Sequence, residues 1–347
     1  MGWKTKKIDF LNSKEKMKLT IKQIKKILNN WEIGNVKEIK KTDKGVVNHN
    51  WIIKTSNGKY VLRGLPEDRK LKGLMYELKY IDYFDKERFN YKLPKAVKTK
   101  KGTEVIRYGK NYVWMYNFIE GNVKDTFGKA ELREMGKMIA KYHLILERIN
   151  MRNGAGKSEP YVKNLILKES KTFKENISKL RRKTKGDKTY LQEIEKLIPI
   201  LRKIESNEYR KLKQYPIHRD LNPENVLWSG KKLVGIIDFE NVSTLNEPLI
   251  KDVSVVLQLG CSKDGEKLDL SKAKYFIKEY KKFRKLSSKE IELLPLIITA
   301  AYIEDFSYAY WMLKNDPDRA KLYRLKKYSL ASQWYWNNRD KLIKTLS

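Results

Sequence analysis

The residues best suited to chemistry lie in two short segments, 218–225 (HRDLNPEN) and 235–240 (GIIDFE). Asp220 and Asn225 stand five positions apart before a short apolar stretch, and Asp238 ends the next apolar stretch after a Ser-Gly turn. We expect the resulting hairpin to bring the three side chains to one rim. Phosphoryl transfer needs this set, because a carboxylate must orient an acceptor hydroxyl and take its proton while oxygen ligands hold Mg²⁺ against the nucleotide phosphates.

On this interpretation Asp220 is the catalytic base, and Asn225 and Asp238 are the magnesium ligands. Asp and Asn residues in turns often only cap backbone groups, and one such residue alone would favour that interpretation. The complete pattern, H-x-D-x-x-x-x-N followed by an apolar strand that ends in Asp, favours the functional one.

The residues before this site predict a β-rich first part. After a leader of about a dozen residues, Thr20 is expected to cap a helix from about Ile21 to Trp31, because apolar residues recur there at helical spacing. A second helix is predicted at Leu71–Phe84. Alternating apolar residues and the turn signal Asn57-Gly58 predict an antiparallel sheet. The predicted strands are Val36–Ile39, Trp51–Ile53, Tyr60–Leu62, Ala96–Thr99, Glu104–Tyr108 and Tyr112–Tyr116.

The pattern after Lys129 is mostly helical. A long helix is predicted over the apolar stripe Leu132, Met135, Ile139, Tyr142 and Leu146. Two short strands, Val226–Trp228 and Leu233–Ile237, interrupt the helical pattern, which resumes at Asp252. We therefore predict an α+β fold with two lobes and a cleft between them: a small antiparallel sheet with one inserted helix at 1–116, and a larger helical lobe at 117–347.

The composition excludes several classes of protein. Hydrophobic residues make up 41% of the 347 residues, as in globular proteins. The longest nearly apolar run, Leu293–Ile303, is too short for a membrane span, which needs ~20 residues. Lysines rather than an apolar signal core follow the start of the chain, and a single cysteine, Cys261, forms no internal disulfide. We expect a cytoplasmic protein that neither crosses a membrane nor holds a zinc or His-built metal centre.

The net charge is unusual. Lysine and arginine total 76 against 42 acidic residues, which gives +34. Such an excess suits a phosphate-rich partner, because cations neutralise phosphates and release counterions. The excess is spread over the whole chain without a basic tail, which favours a lysine-rich composition as its origin. Nucleic acid therefore stays an alternative partner that the sequence does not favour.

The motifs together resemble those of the aminoglycoside phosphotransferase, choline kinase and homoserine kinase group. Segments 45–48 (GVVN) and 55–63 (TSNGKYVLR) are similar to the homoserine kinase-like branch, and 138–143 (MIAKYH) matches a family helix that ends in a histidine. The resemblance covers most of the chain. It implies the bilobal protein-kinase-like fold, a nucleotide-binding first lobe, a second lobe with the catalytic loop and substrate site, ATP and Mg²⁺ as cofactors, and a small-molecule hydroxyl acceptor.

The resemblance also implies roles for residues of the first lobe. Arg63 takes the place of the strand cation that contacts the α- and β-phosphates, and Glu77 is its ion-pair partner. The family usually has lysine here, and an arginine keeps the charge while it changes reach and geometry. Gly45 and Asn48 correspond to the turn that covers the phosphates.

Further roles follow from the same resemblance. The linker that contains Met115 and Asn117 supplies backbone groups to the adenine edge, and Glu240 corresponds to an acidic residue that some members place near the metal. His218 supports the catalytic loop structurally, and Asp252 braces that loop by hydrogen bonds. His143 is a packed helix residue.

The same loop pattern also occurs in protein kinases. This sequence has Asp-Phe-Glu in place of Asp-Phe-Gly, lacks an Ala-Pro-Glu segment, and lacks the repeated glycines of the phosphate loop. These differences favour a small metabolite as the acceptor. Glu304 and Asp305 stand among aromatic residues that suit an ammonium pocket, although an aromatic stripe of this kind more often forms core. An RNA-associated or non-catalytic nucleotide-binding protein is the alternative, and the intact set of Asp220, Asn225 and Asp238 argues against it.

Overall fold

The computed structural model of the chain describes residues 19–42, 49–65, 70–149, 163–204, 206–244, 246–263, 266–315 and 324–347. The chain divides into two compact units. The first comprises Met1–Asn122, Leu227–Ser229 and Val234–Thr244, and the second comprises Val123–Val226, Gly230–Leu233 and Leu245–Ser347. The predicted leader lies outside the described residues.

The first unit contains one antiparallel sheet and two helices. Its strands are β1 (Val36–Lys41), β2 (His49–Thr55), β3 (Lys59–Gly64), β4 (Val105–Tyr108) and β5 (Asn111–Asn117), and its helices are α1 (Ile21–Leu28) and α2 (Leu71–Lys86). The strands lie in the order β1-β2-β3-β5-β4. The predicted hairpin between β2 and β3 is confirmed: Trp51 pairs with Leu62, and the turn at Asn57-Gly58 joins the two strands.

Side-chain alternation along β3 decides which face carries Arg63. Leu62 packs into the core that α1 covers, whereas Val61 and Leu65 pack against Leu74 of α2. Because successive side chains of a strand point to opposite faces, Arg63 points to the same face as Val61 and Leu65. The sheet therefore presents this cation to α2, the helix that carries Glu77.

Two elements of this unit differ from the predictions, one helix in its end and one strand in its absence. The predicted N-cap Thr20 forms a capping box with Gln23, but α1 ends at Leu28, three residues before Trp31. No strand forms at Ala96–Thr99, where the only bridge between described residues joins Ala96 to Tyr116. The strand prediction fails because the backbone N–H of Thr99 donates to Thr103 at 2.7 Å and closes a turn instead.

The second unit is mostly helical. Its helices are α3 (Lys129–Arg148), α4 (Lys163–Ser178), α5 (Lys185–Lys203), α6 (Ser206–Lys211), α7 (Ile250–Val255), α8 (Leu270–Lys281), α9 (Ser288–Asn315), α10 (Leu325–Asn337) and α11 (Arg339–Leu346). The predicted strand pair is present as β6 (Val226–Ser229) and β7 (Lys232–Ile236), and its residues are divided between the two units. A second short pair, β8 (Ser262–Lys263) and β9 (Lys267–Leu268), was not predicted. Among the described residues, no helix combines the length and apolar character that a membrane crossing requires.

Helix α3 organises the core of this unit. The predicted stripe from Leu132 to Leu146 is buried along its whole length. Gly136 allows α8 to approach closely, because a Cβ at this position would lie 2.9 Å from the backbone nitrogen of Tyr280. The contact between α3 and α8 brings His143 and Tyr280, which are far apart in sequence, within hydrogen-bond distance of each other.

A buried carboxylate joins α5 to α9 and makes stability depend on pH. Asp187 accepts hydrogen bonds from the hydroxyl of Tyr310 at 2.8 Å and from Thr184, and pairs with Lys314 at 2.5 Å. Burial alone would raise the pKa of Asp187, but these donors outweigh burial and lower it. A depressed folded-state pKa gives stability that is present above the unfolded-state pKa of ~3.9 and is lost as pH falls towards the folded-state value.

We expect Asp187→Asn to lower the free energy of unfolding by about 2 kcal/mol at pH 7, the contribution of hydrogen bonds to a charged group. The difference from the unsubstituted protein should shrink below about pH 4, where the wild-type carboxylate begins to be protonated. Urea unfolding at several pH values measures this effect. Asp340→Asn is the control, because the Asp340 side chain is 85% exposed. A difference in unfolding free energy between Asp187→Asn and the unsubstituted protein that stays constant with pH would contradict the prediction.

Candidate active site

The loop at 218–225 in the second unit, which the sequence predicts to be catalytic, holds one carboxylate between two amides. Asn222 caps a short 3₁₀ turn, Pro223–Asn225, by accepting from the backbone N–H of Asn225 at 3.1 Å. Its own amide nitrogen donates to Oδ1 of Asp220 at 2.7 Å. The amide nitrogen of Asn225 donates to Oδ2 of Asp220 at 2.9 Å. Both carboxylate oxygens of Asp220 are therefore held in fixed directions, as a base that must meet one hydroxyl requires.

The orientation of Asn225 matters for metal binding. Its amide nitrogen also donates to the backbone carbonyl of Asp220 at 2.9 Å. Because both hydrogen bonds use the nitrogen, the amide oxygen of Asn225 is left for another partner. An amide oxygen is a hard ligand that suits Mg²⁺.

Buried groups fix the backbone of this loop. The backbone N–H of Arg219 donates to Oδ1 of Asp252 at 2.7 Å, and that of His218 donates to Oδ2 at 3.3 Å. The ring Nδ1 of His218 accepts from the backbone N–H of Asp220 at 3.3 Å. The predicted hydrogen bonding of Asp252 and the structural interpretation of His218 thus agree with the geometry.

Arg219 holds an unusual backbone conformation through its side chain. Its φ of 67° lies in the left-handed region, which a non-glycine residue adopts at a cost. The guanidinium donates to Glu247, whose carboxylate also accepts from the hydroxyl of Tyr209 at 3.0 Å. Burial alone would lower the pKa of Arg219, but the charge of Glu247 raises it. This buried ion pair compensates the strain next to Asp220.

The first unit contains a second cluster, around Arg63. The Nη2 atom of Arg63 lies 2.7 Å from Oδ1 of Asp238 and 3.1 Å from Oε2 of Glu240. Glu77, the partner that the resemblance implies, lies further away, with 4.0 Å between Nη1 and Oε1. Burial alone would lower the pKa of Arg63, but the three carboxylates, Asp238 foremost, raise it. The cation is therefore permanently charged, and its side chain is only 4% exposed.

Asp238 reaches this cluster through a strained backbone. Its φ of 68° and ψ of 62° place it in the left-handed region at the start of a 3₁₀ turn, Phe239–Ser243. Phe239 is buried and its ring lies 6.1 Å from that of Tyr80 on α2, which anchors the turn. Such strain at a polar residue is typical of functional sites.

The other residues that were predicted to bind the nucleotide lie in different surroundings. Gly45 and Asn48 lie outside the described residues. Met115 is buried in the core beneath α1, and its carbonyl accepts from the backbone N–H of Val97 at 2.7 Å. Asn117 is exposed at the end of β5 and is the better placed of the two linker residues to meet a ligand.

The acidic pair on α9 is only partly buried. Asp305 accepts from the amide of Gln258 at 3.3 Å, and the charge of Glu304 contributes to the raised pKa of Arg219. The neighbouring aromatics Tyr302 and Phe306 are core residues, as the sequence favoured. Glu304 is therefore electrostatically coupled to the catalytic loop.

Sequence reasoning missed two residues that hold the loop, one within it and one outside it. Asn222 lies within the motif itself, and its position two residues after Asp220 before a proline is a capping signal that local analysis can detect. Glu247 carries no local signal, because its contact with Arg219 arises only from the tertiary fold.

The donor set suits magnesium better than a soft transition metal. Within the described parts of the chain, no group of three or more His, Cys, Asp and Glu side chains gathers to hold a metal. Mg²⁺ usually takes one or two protein oxygens and completes its shell with phosphates and water. Each of the two residues predicted as ligands, Asp238 in the first unit and Asn225 in the second, offers a hard oxygen of the kind that Mg²⁺ takes.

Comparison with known proteins gives one family. The profile of the phosphotransferase enzyme family matches residues 38–286. The homoserine kinase of Bradyrhizobium sp. (strain ORS 278) is 26% identical over 279 residues, which cover 80% of each chain.

Solved structures show the same fold. An aminoglycoside phosphotransferase from Alicyclobacillus acidocaldarius superposes with a TM-score of 0.68 at 14% identity, over 96% of this chain and 99% of that one. An amicoumacin kinase in complex with AMP-PNP, Ca²⁺ and amicoumacin superposes with a TM-score of 0.64 at 13% identity, over 93% and 94%. The resemblance and the protein-kinase-like α+β fold that the sequence predicted are confirmed.

Proposed function

Because the chain belongs to the phosphotransferase enzyme family, we propose that it transfers the γ-phosphate of ATP to a hydroxyl group of a small molecule, with Asp220 as the base. The observation that carries this proposal is the fixation of Asp220 by the amides of Asn222 and Asn225. Both oxygens of Asp252 are also hydrogen-bonded, but Asp252 is fully buried, whereas Asp220 is partly exposed and can present one oxygen to the proton of a substrate hydroxyl.

Arg63 is proposed to bind the nucleotide phosphates. Its Nε is buried and has no hydrogen-bond partner among the described residues. An unsatisfied buried donor is costly unless a ligand completes it, and a guanidinium matches phosphate oxygens in a two-pronged manner. Gly45 and Asn48 are proposed to cover the phosphates, with Glu77 as a further carboxylate beside Arg63. Of the two linker residues, Asn117 is proposed to line the adenine edge, because the carbonyl of Met115 already accepts from Val97.

Asn225 and Asp238 are proposed to hold Mg²⁺. A bound Mg²⁺ supplies positive charge that neutralises the phosphates of the nucleotide. Asp238 lies only one hairpin after Asn225 in the chain, which supports a common ligand for the two residues. Glu240 shares Arg63 with Asp238 and holds this guanidinium beside the carboxylate.

The acceptor is proposed to be a small amino alcohol or a related metabolite. The relatives described above are named as kinases of homoserine and of amicoumacin, so their acceptors are small molecules. On α9, the partly exposed carboxylates of Glu304 and Asp305 suit an ammonium group of such an acceptor. ATP as the phosphate donor makes the cytoplasm the proposed location.

A coupled assay tests this function directly. Purified protein with Mg·ATP should release ADP only when a suitable hydroxyl acceptor is present, and mass spectrometry should find the acceptor heavier by one phosphate. Homoserine, choline, aminopropanol and an aminoglycoside form the first panel, and O-methyl derivatives serve as matched controls without the acceptor hydroxyl. Absence of a phosphorylated product across a broad metabolite pool, with ATP bound, would refute the transferase assignment.

A further inference from the structure

A chain of polar side chains crosses the interior of the second unit and ends on the catalytic loop. His143 of α3 is fully buried, and its Nδ1 lies 2.7 Å from the hydroxyl of Tyr280 at the end of α8. On the other side of the ring, Nε2 lies 3.5 Å from Oδ2 of Asp252. Nη1 of Arg284 donates to the same Tyr280 hydroxyl at 3.2 Å. Asp252 completes the chain, because it accepts from the loop backbone.

The two ends of this chain fix the direction of every hydrogen bond in it. Arginine has only donors and a carboxylate has only acceptors. The oxygen of Tyr280 therefore accepts from Arg284, and its O–H donates a hydrogen bond to Nδ1 of His143. With Nδ1 as an acceptor, the neutral ring carries its proton on Nε2, which faces Oδ2 of Asp252 at 3.5 Å, a separation at which the attraction is electrostatic rather than a well-formed hydrogen bond.

Protonation states agree with this direction. Burial lowers the pKa of His143, which keeps the ring neutral, and burial raises the pKa of Tyr280, which keeps its hydroxyl protonated. The outer end is anchored, because Nε of Arg284 donates to Glu147 of α3 at 2.9 Å and Nη2 donates to Glu290 of α9 at 3.1 Å. Helices α3, α8 and α9 thus hold the Arg284 guanidinium in place through Glu147, Tyr280 and Glu290.

We propose that Tyr280 is a positioning residue for the catalytic loop: it holds His143 as the Nε2–H tautomer, and this N–H keeps the Asp252 carboxylate aligned with the backbone N–H groups of His218 and Arg219. The orientation of Asp220 follows from that of the backbone before it. Only the consequence for turnover rests on the proposed function, whereas the tautomer is a property of the fold.

Histidine-selective ¹⁵N labelling tests the tautomer, because the chain contains only three histidines. His49→Gln and His143→Gln assign the signals. In the full-length protein, the His143 ring should show an unprotonated Nδ1 and a protonated Nε2 in a single form. In Tyr280→Phe, Nδ1 loses its donor, and the two ring nitrogens should move towards the averaged shifts of a tautomer mixture.

The same variant tests the effect on the loop. Tyr280→Phe should lower kcat about tenfold, as expected for a small displacement transmitted to a catalytic group, with the KM for ATP unchanged. Hydrogen exchange of the Arg219 amide should accelerate. Tyr310→Phe is the matched control, because it also removes one buried tyrosine hydrogen bond to a carboxylate, and it should leave the His143 signals, kcat and the Arg219 amide unchanged.

Arg284→Gln provides a second variant at the less buried end of this series of polar side chains. It should also shift His143 towards a mixture of the two tautomers. A protonated Nδ1 in the wild-type protein overturns the proposal, whether or not an acceptor has been found. An unchanged kcat and unchanged amide exchange in Tyr280→Phe also overturn it. If no acceptor is phosphorylated, the transferase assignment fails, and the ring signals and amide exchange still decide the role of Tyr280.

Discussion

Asp220→Asn is expected to lower kcat by about 10³-fold, within the range that general bases contribute. The protein should still bind Mg·ATP, because Arg63, Asp238 and Asn225 are unchanged. The asparagine retains the size of the side chain and removes the negative charge that accepts the hydroxyl proton. Steady-state kinetics with the identified acceptor, together with calorimetric titration of a non-hydrolysable ATP analogue, measure the two effects separately.

The amides around Asp220 make a second variant necessary. Both oxygens of Asp220 accept from amides, and an asparagine at this position would direct one N–H₂ group against another donor. Asp220→Ala removes that conflict and should lose a similar share of turnover. Asp340→Asn, at an exposed side chain, should leave turnover unchanged. Turnover of both Asp220 variants within tenfold of the wild-type protein would exclude Asp220 as the base.

The hydrogen-bonded geometry of the loop at 218–225 was predictable because its information is local. Asp220, Asn222 and Asn225 lie within six consecutive positions, and a turn with proline at its first position joins their side chains by short-range hydrogen bonds. The β2–β3 hairpin was predictable for the same reason, since Asn57-Gly58 determines its turn. Alternation along β3 then places Arg63 on a known face.

The partners of these residues were not predictable from local pattern. Glu240 meets Arg63 across 177 positions, Glu247 meets Arg219 across 28, and Tyr280 meets His143 across 137. Such contacts depend on how helices and strands pack, and periodicity carries no information about which polar residue lies opposite. The resemblance supplied Glu77 as the partner of Arg63, yet Asp238 and Glu240 lie closer to it.

Removing the charge of Arg63 is expected to have the largest effect on stability in the first unit. Arg63→Met removes the guanidinium that faces Glu77, which is fully buried, and the partly buried Asp238 and Glu240. The loss of one partner of a buried ion pair costs about 3–5 kcal/mol, so the unfolding midpoint in urea should fall markedly at pH 7. Affinity for ATP should fall more than tenfold, because a charge-assisted hydrogen bond contributes about 1.5–3 kcal/mol.

A double variant separates stability from nucleotide binding. Arg63→Met with Glu77→Gln removes the most deeply buried negative charge together with the cation, and it should recover more than half of the lost stability without recovering affinity for ATP. Lys54→Met, which breaks an exposed ion pair with Glu38 in the same sheet, is the control and should change stability by less than about 1 kcal/mol.

The pH dependence of Arg63→Met identifies the cause of its instability. The raised pKa of Arg63 means that its charge contributes stability throughout the neutral range. If the loss of the Arg63 charge causes the instability, lowering the pH reduces the net negative charge that remains around position 63, so the deficit in unfolding free energy relative to the wild-type protein should narrow as pH falls from 7 to 5. If the difference in unfolding free energy stays constant over this range, a packing defect at β3 causes the loss of stability. That result would contradict the proposal that three carboxylates hold Arg63 as a phosphate-binding cation.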